Sequence, residues 1–131
     1  AIGGWSLSGL FAAWAWREQP DVFAHLLAIS PSLWWHDARL VAEGVPSRSG
    51  SRAFISAGQH EEGDVSNVWP QRFANADQRS MAAMVRNALS YGAACTAAGV
   101  ATDTVVFANE HHVTLMPASM SRGLRHLFAA P

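Results

Sequence analysis

The sequence predicts an α/β fold with a mostly parallel sheet and flanking helices. Three observations carry that reading. Short apolar runs of strand character alternate with longer helical segments along the chain, the pattern of a sheet built through crossover helices. The residues able to do chemistry fall just after the strand-like runs, where open sheets of this kind bind their ligands. Half of the residues are hydrophobic and 15% are charged, with a formal net charge of -1, the profile of one soluble globular domain or part of one.

The elements follow in order. "AIGG" at the start reads as the last residues of a strand. Residues 8–17, "SGLFAAWAWR", have no polar face, so they predict a helix buried on most sides, ended by Pro20 in "EQPD". "FAHLLAIS" (23–30) reads as a buried strand, and 30–44 as a loop turning into a short helix near Asp37. After the Gly/Pro/Ser-rich stretch "GVPSRSGS" (44–51), "SRAFISAG" (51–58) is a second full strand, stopped by Gly58. "QHEEGDVSNVWPQ" is a polar loop. From Gln71 to Ala98 apolar residues recur at spacings of three and four (Phe73, Met81, Met84, Val85, Leu89), which predicts an amphipathic helix or two short ones. "TDTVVFA" (102–108) is a further strand, then comes the loop "NEHHVT", then a last helix from about Pro117 carrying Leu124, Leu127 and Phe128. Residues 1–131 thus read as one partial domain.

Charge narrows the partners. All nine basic residues are arginines, and they are scattered with no basic stripe; nucleic acid and membrane surfaces are therefore not expected as partners. No apolar run approaches the length of a membrane span. The single cysteine, Cys95, excludes an internal disulfide and a cysteine zinc cluster, and leaves the compartment open with the cytoplasm slightly favoured.

The chemistry starts at "GWSLSG". Ser6 lies in most of a G-x-S-x-G pattern, the nucleophile elbow of α/β-hydrolases. A sharp strand-to-helix turn there lifts the serine oxygen above the sheet, and the following helix N-terminus favours a developing oxyanion. The N–H of Leu7 would be one oxyanion donor. Ser8 stands where the pattern has glycine, adding a hydroxymethyl group at a close helix–strand contact that Gly9 would relieve. The alternative role for Ser6 is capping a buried helix.

A hydroxyl needs a base, and the base needs a carboxylate to orient it. In this fold the chain order is serine, acid, histidine. The loop after 51–58 offers Glu61, Glu62 and Asp64. The loop after 102–108 offers His111 and His112. His25, His36, His60 and His126 fit that order or position less well.

"GWSLSGLFAAWA", "AISPSLWW", "FISAGQHEE" and "HHVTLMPASMSRGLRHLF" together resemble the carboxyl-terminal half of the α/β-hydrolase esterase family that includes esterase D and the enterobactin-type siderophore esterases. The resemblance covers nearly the whole chain. It implies a partial α/β-hydrolase fold, with Ser6 as nucleophile, His112 as base ahead of the segment ending at Pro117, and Glu61 as the best match for the acid. It implies an ester or siderophore-type lactone as substrate and no metal or cofactor. Trp5, Trp34 and Trp35 would then offer apolar surface to the substrate. It also implies that several strands and a loop with the second oxyanion donor precede Ala1. The 131 residues alone would then be inactive or nearly so, and an exposed sheet edge would invite self-association. The rival expectations are a non-catalytic binding or scaffold domain on the same fold, and an acyltransferase using the same triad.

Overall fold

A computed structural model describes residues 1–62 and 83–129. Four strands form one sheet in the order β1-β2-β3-β4: β1 (Ile2–Trp5), β2 (His25–Ile29), β3 (Arg52–Gly58) and β4 (Ala101–Phe107). Every neighbouring pair is parallel, with Ile2 opposite Leu26, Leu26 opposite Ala53 and Ala53 opposite Thr102. Parallel neighbours need a crossover, and helices supply it. They are α1 (Leu7–Glu18) after β1, α2 (Trp35–Glu43) after β2 and α3 (Met84–Ala97) before β4; α4 (Met116–Phe128) closes the described chain.

Side chains alternate across the strands, so each strand feeds two cores. Leu26 and Ala28 of β2, with Ala53, Ile55 and Ala57 of β3, join Trp16 of α1, Leu40 of α2, and Tyr91 and Cys95 of α3 on one face. Leu27, Ile29 and Phe54 turn to the other face, against Leu115 and Leu127 at and within α4. The sheet is therefore covered on both sides, which is why its central strands read as unbroken apolar runs.

Three local features have physical content. The buried stripe of α3 is Met84, Ala88, Tyr91, Gly92 and Cys95, while Leu89 is exposed. Of the described positions in the predicted stripe, Met84 is buried and Val85 packs against the core, and Leu89 departs from it. Ala88 and Gly92 share that stripe with Met84 and Tyr91 because the helix sits close there: a Cβ on Gly92 would come within 2.1 Å of the Thr104 hydroxyl. Phe73 and Met81, the N-terminal part of that predicted stripe, lie outside the described residues. In α2 the residues His36, Asp37 and Ala38 take φ of 53°, 54° and 55°, a left-handed turn that costs non-glycine residues about 1–2 kcal/mol each. Finally, the 44–51 loop is tied down by one side chain. The Arg48 guanidinium lies over the Trp16 ring at 4.2 Å and donates to the carbonyls of Trp16 and Phe23 and to the Ser51 hydroxyl.

Among the described residues β1 is hydrogen-bonded on one side, to β2. Beside it α1 presents Leu7, Phe11 and Trp14, each about half exposed, at helical spacings of four and three. That strand and that stripe are the surfaces to which the expected self-association refers. No helix among the described residues is long and apolar enough to cross a membrane.

Candidate active site

The carboxyl ends of β1, β2, β3 and β4 share one rim of the parallel sheet, and every predicted catalytic residue lies on it. Ser6 links β1 directly to α1, with φ 59° and ψ -124°. A serine held there costs about 1–3 kcal/mol, tolerated where the surroundings over-determine it. They do so here. The Ser6 N–H donates to the Ile29 carbonyl at 3.0 Å, and its carbonyl accepts from Ser32 N–H at 3.0 Å and from Leu10 N–H at 3.1 Å. The turn is tight enough that a Cβ on Gly4 would sit 2.2 Å from the Ser8 carbonyl oxygen. Ser6 makes no side-chain capping bond to α1, so its hydroxyl is not spent on the helix. The Leu7 N–H is the first of α1, where the helix itself supplies no acceptor.

Ser8, the departure from the glycine pattern, fits without crowding. Its side chain faces solvent, donates to the Trp5 carbonyl at 2.7 Å and accepts from the Trp5 N–H at 3.0 Å. The close helix contact falls one residue later: a Cβ on Gly9 would lie 3.0 Å from the Gly4 oxygen and 3.1 Å from Pro31 Cα. The small residue the elbow needs has moved by one position.

The acid cluster resolves by burial. A single turn, Gln59–Glu61, follows β3 and swings Glu61 inward, leaving it 3% exposed. One carboxylate oxygen, Oε2, accepts from Gly58 N–H at 2.5 Å and from the Ser30 hydroxyl at 2.7 Å. The other, Oε1, meets His112 Nδ1 at 2.5 Å. Glu62 points out and receives the Arg86 N–H at 3.0 Å. Asp64 lies outside the described residues.

The histidines separate in the same way. His112 is buried, with Nδ1 on Glu61 and Nε2 turned to the far side of the ring. His111 N–H donates to the Thr114 hydroxyl at 3.1 Å, and its carbonyl accepts from Leu115 N–H. The loop carrying both is pinned onto the turn that carries the acid. His60 N–H donates to the Glu110 carbonyl at 3.0 Å, Asn109 N–H to the Gln59 side chain at 3.0 Å, and a Cβ on Gly58 would lie 2.5 Å from the Glu110 oxygen.

Trp5 closes the arrangement. Its indole N–H donates to the His112 carbonyl at 2.9 Å, and its ring lies 5.0 Å from the imidazole. Hydrogen bonds link Ser32 to Ser6, Ser30 to Glu61, Glu61 to His112 and Trp5 to His112, and the chain itself closes the circuit from Ser30 through Pro31 to Ser32 and from Trp5 to Ser6. Three loops distant in sequence are thereby joined at one rim. The other predicted aromatic pair lies further out. Trp34 and Trp35 have ring centroids 5.6 Å apart, and Trp35 is half exposed. Trp35 lines a groove of about 600 Å³ between α1 and α2, together with Leu10, Trp14, His36 and Leu40. Ser6, Glu61 and His112 do not line that groove. Ser30 and Ser32 were not singled out by the sequence; the only hint is their place in "ISPS" at a strand's carboxyl end. Among the described residues no cluster of His, Cys, Asp or Glu is arranged to hold a metal ion.

The geometry has counterparts in known proteins. No family model matches the chain. Over 57 residues it is 40% identical to a siderophore enterobactin esterase of Emericella nidulans, a match covering 44% of this chain and 19% of that protein. Among solved structures it is similar to the siderophore hydrolase EstB of Aspergillus nidulans (TM-score 0.72, 22% identity, 98% of this chain and 49% of that one). It is also similar to EstA of the same organism (TM-score 0.67, 24% identity, 92% and 45%). An IroE-like serine hydrolase of Shewanella oneidensis gives a TM-score of 0.65 at 21% identity, with coverages of 96% and 39%. These likenesses bear out the α/β-hydrolase fold and the resemblance to siderophore esterases. The chain spans less than half the length of each of these relatives.

Proposed function

We propose that this chain carries the catalytic centre of a serine ester hydrolase acting on carboxylic esters or siderophore-type lactones. The observation that carries the reading is the Glu61–His112 pair, buried and joined by a closed circuit of bonds to a serine held at positive φ. The named relatives, a siderophore enterobactin esterase and siderophore hydrolases, support the same chemistry.

In the proposed mechanism His112 Nε2 takes the proton of Ser6 as its oxygen attacks the ester carbonyl. Glu61, ionised, holds the Nδ1–H tautomer and steadies the imidazolium that forms. The Leu7 N–H, at the positive end of the α1 dipole, receives the oxyanion of the tetrahedral intermediate. The intermediate collapses as the imidazolium protonates the leaving alcohol. Water, deprotonated by His112, then cleaves the acyl-Ser6 ester by the reverse sequence. Trp5 forms the apolar wall nearest the nucleophile. Trp34 and Trp35, two and three residues beyond the Ser32 N–H that holds the elbow, offer further apolar surface to the substrate outside the triad, Trp35 from the groove between α1 and α2.

Turnover of a chromogenic short-chain ester by the full-length protein and by its Ser6→Ala variant tests this. The reading expects a loss of about a millionfold in kcat, down to background, with an unchanged melting temperature. A folded Ser6→Ala variant that keeps the parent's turnover would overturn it.

A further inference from the structure

We infer that Ser30 is a positioning residue for the triad acid, an inference that rests on the function proposed above. The Ser30 side chain is fully buried and donates to Glu61 Oε2 at 2.7 Å. That oxygen also takes Gly58 N–H at 2.5 Å. With two donors on Oε2, the carboxylate is held about its terminal torsion, so that Oε1 faces His112 Nδ1.

The backbone at Ser30 supports a chemical role. Its φ is 38°, in the left-handed region that glycine occupies without steric cost. Its N–H is fixed to the Ser56 carbonyl at 2.8 Å. A residue chosen for conformation alone at this point would be glycine, and the serine adds one thing glycine lacks, the hydroxyl on Glu61. Two residues on, Ser32 N–H holds the Ser6 carbonyl. The segment Ser30–Ser32 therefore braces acid and nucleophile together, from the end of the strand that lies between theirs.

The test uses Ser30→Ala and Ser30→Gly in the full-length protein, each alone and combined with Glu61→Gln. Glycine relieves the φ strain, so it keeps the fold if alanine disturbs it. A hydrogen bond to a buried charge sets the expected size: kcat falls about ten- to a hundredfold in both variants, with KM within about twofold. In the Glu61→Gln background the same changes at Ser30 alter kcat less than about twofold, because the group they position is already lost. Parent-like kcat in Ser30→Gly, or losses that multiply independently with Glu61→Gln, would overturn the role of Ser30 while leaving the triad intact. An undiminished kcat in Glu61→Gln alone would instead overturn the triad reading, and this inference with it.

Discussion

Replacing Glu61 by glutamine is the most informative single change, because the structure dictates how the amide must sit. The carboxylate's Oε2 receives two donors, Gly58 N–H at 2.5 Å and the Ser30 hydroxyl at 2.7 Å. The Ser30 hydroxyl can rotate, but the Gly58 N–H cannot. An NH₂ group turned toward it would set donor against donor inside a site only 3% exposed. The glutamine must therefore keep its oxygen there and offer its NH₂ to His112 Nδ1. Nδ1 must then present a lone pair, so the proton moves to Nε2. An imidazole with its proton on Nε2 has nothing with which to accept the Ser6 proton. In serine proteases this tautomer error lowers kcat about 10⁴-fold with little change in geometry, equivalent to about 5 kcal/mol of transition-state stabilisation. The same loss is expected here, with KM close to the parent's and a melting temperature within a few degrees, since every buried polar atom keeps a partner. Steady-state hydrolysis of a chromogenic ester, beside a thermal melt, measures both. A folded Glu61→Gln protein retaining more than about a tenth of parental kcat would refute the reasoning.

Two further expectations follow from particular contacts. Ser8→Ala removes the hydroxyl that ties the Trp5 backbone on both sides and should cost about 0.5–1.5 kcal/mol of stability, read by urea denaturation, because the lost partners face solvent. Cys95 is fully buried on α3, and burial pushes its thiol up to about 12. A disulfide exchange reagent at pH 8 should therefore find no reactive thiol at that position in the folded protein and one after denaturation; prompt labelling of the native state would contradict the packing of α3.

Much of the fold was legible because parallel strands buried on both faces leave unbroken apolar runs, and those runs end at the residues that carry chemistry. The strand 51–58 and its stop at Gly58 were readable from the apolar run and the glycine that ends it. Which of two adjacent glutamates turns inward was not. Glu61 and Glu62 differ only in where they fall in a single turn after β3, a matter of backbone geometry that spacing does not encode. The same holds for His111 and His112, which the resemblance separated and periodicity could not. Ser8 looked like a defect in the elbow because the pattern assumes that the close contact falls on that residue, whereas it falls on Gly9. The left-handed turn at His36–Ala38 carries no glycine or asparagine to announce it. On α3 the predicted stripe held at Met84 and Val85 and failed at Leu89, because a helix pressed onto a sheet also buries small residues such as Ala88 and Gly92 that a periodicity of large apolar residues passes over. Ser30 was invisible for a different reason: a buried serine bonded across 31 residues has no local signature.

The central claim is that the Ser6 oxygen is an activated nucleophile. A fluorophosphonate probe, followed by proteolysis and peptide mass spectrometry of the full-length protein, measures this directly. The account predicts covalent phosphonylation in the tryptic peptide ending at Arg17, with fragment ions placing it on Ser6 and not Ser8, and its loss in His112→Ala. A folded, ester-hydrolysing protein that the probe leaves unmodified at Ser6, or modifies at another serine, would contradict it.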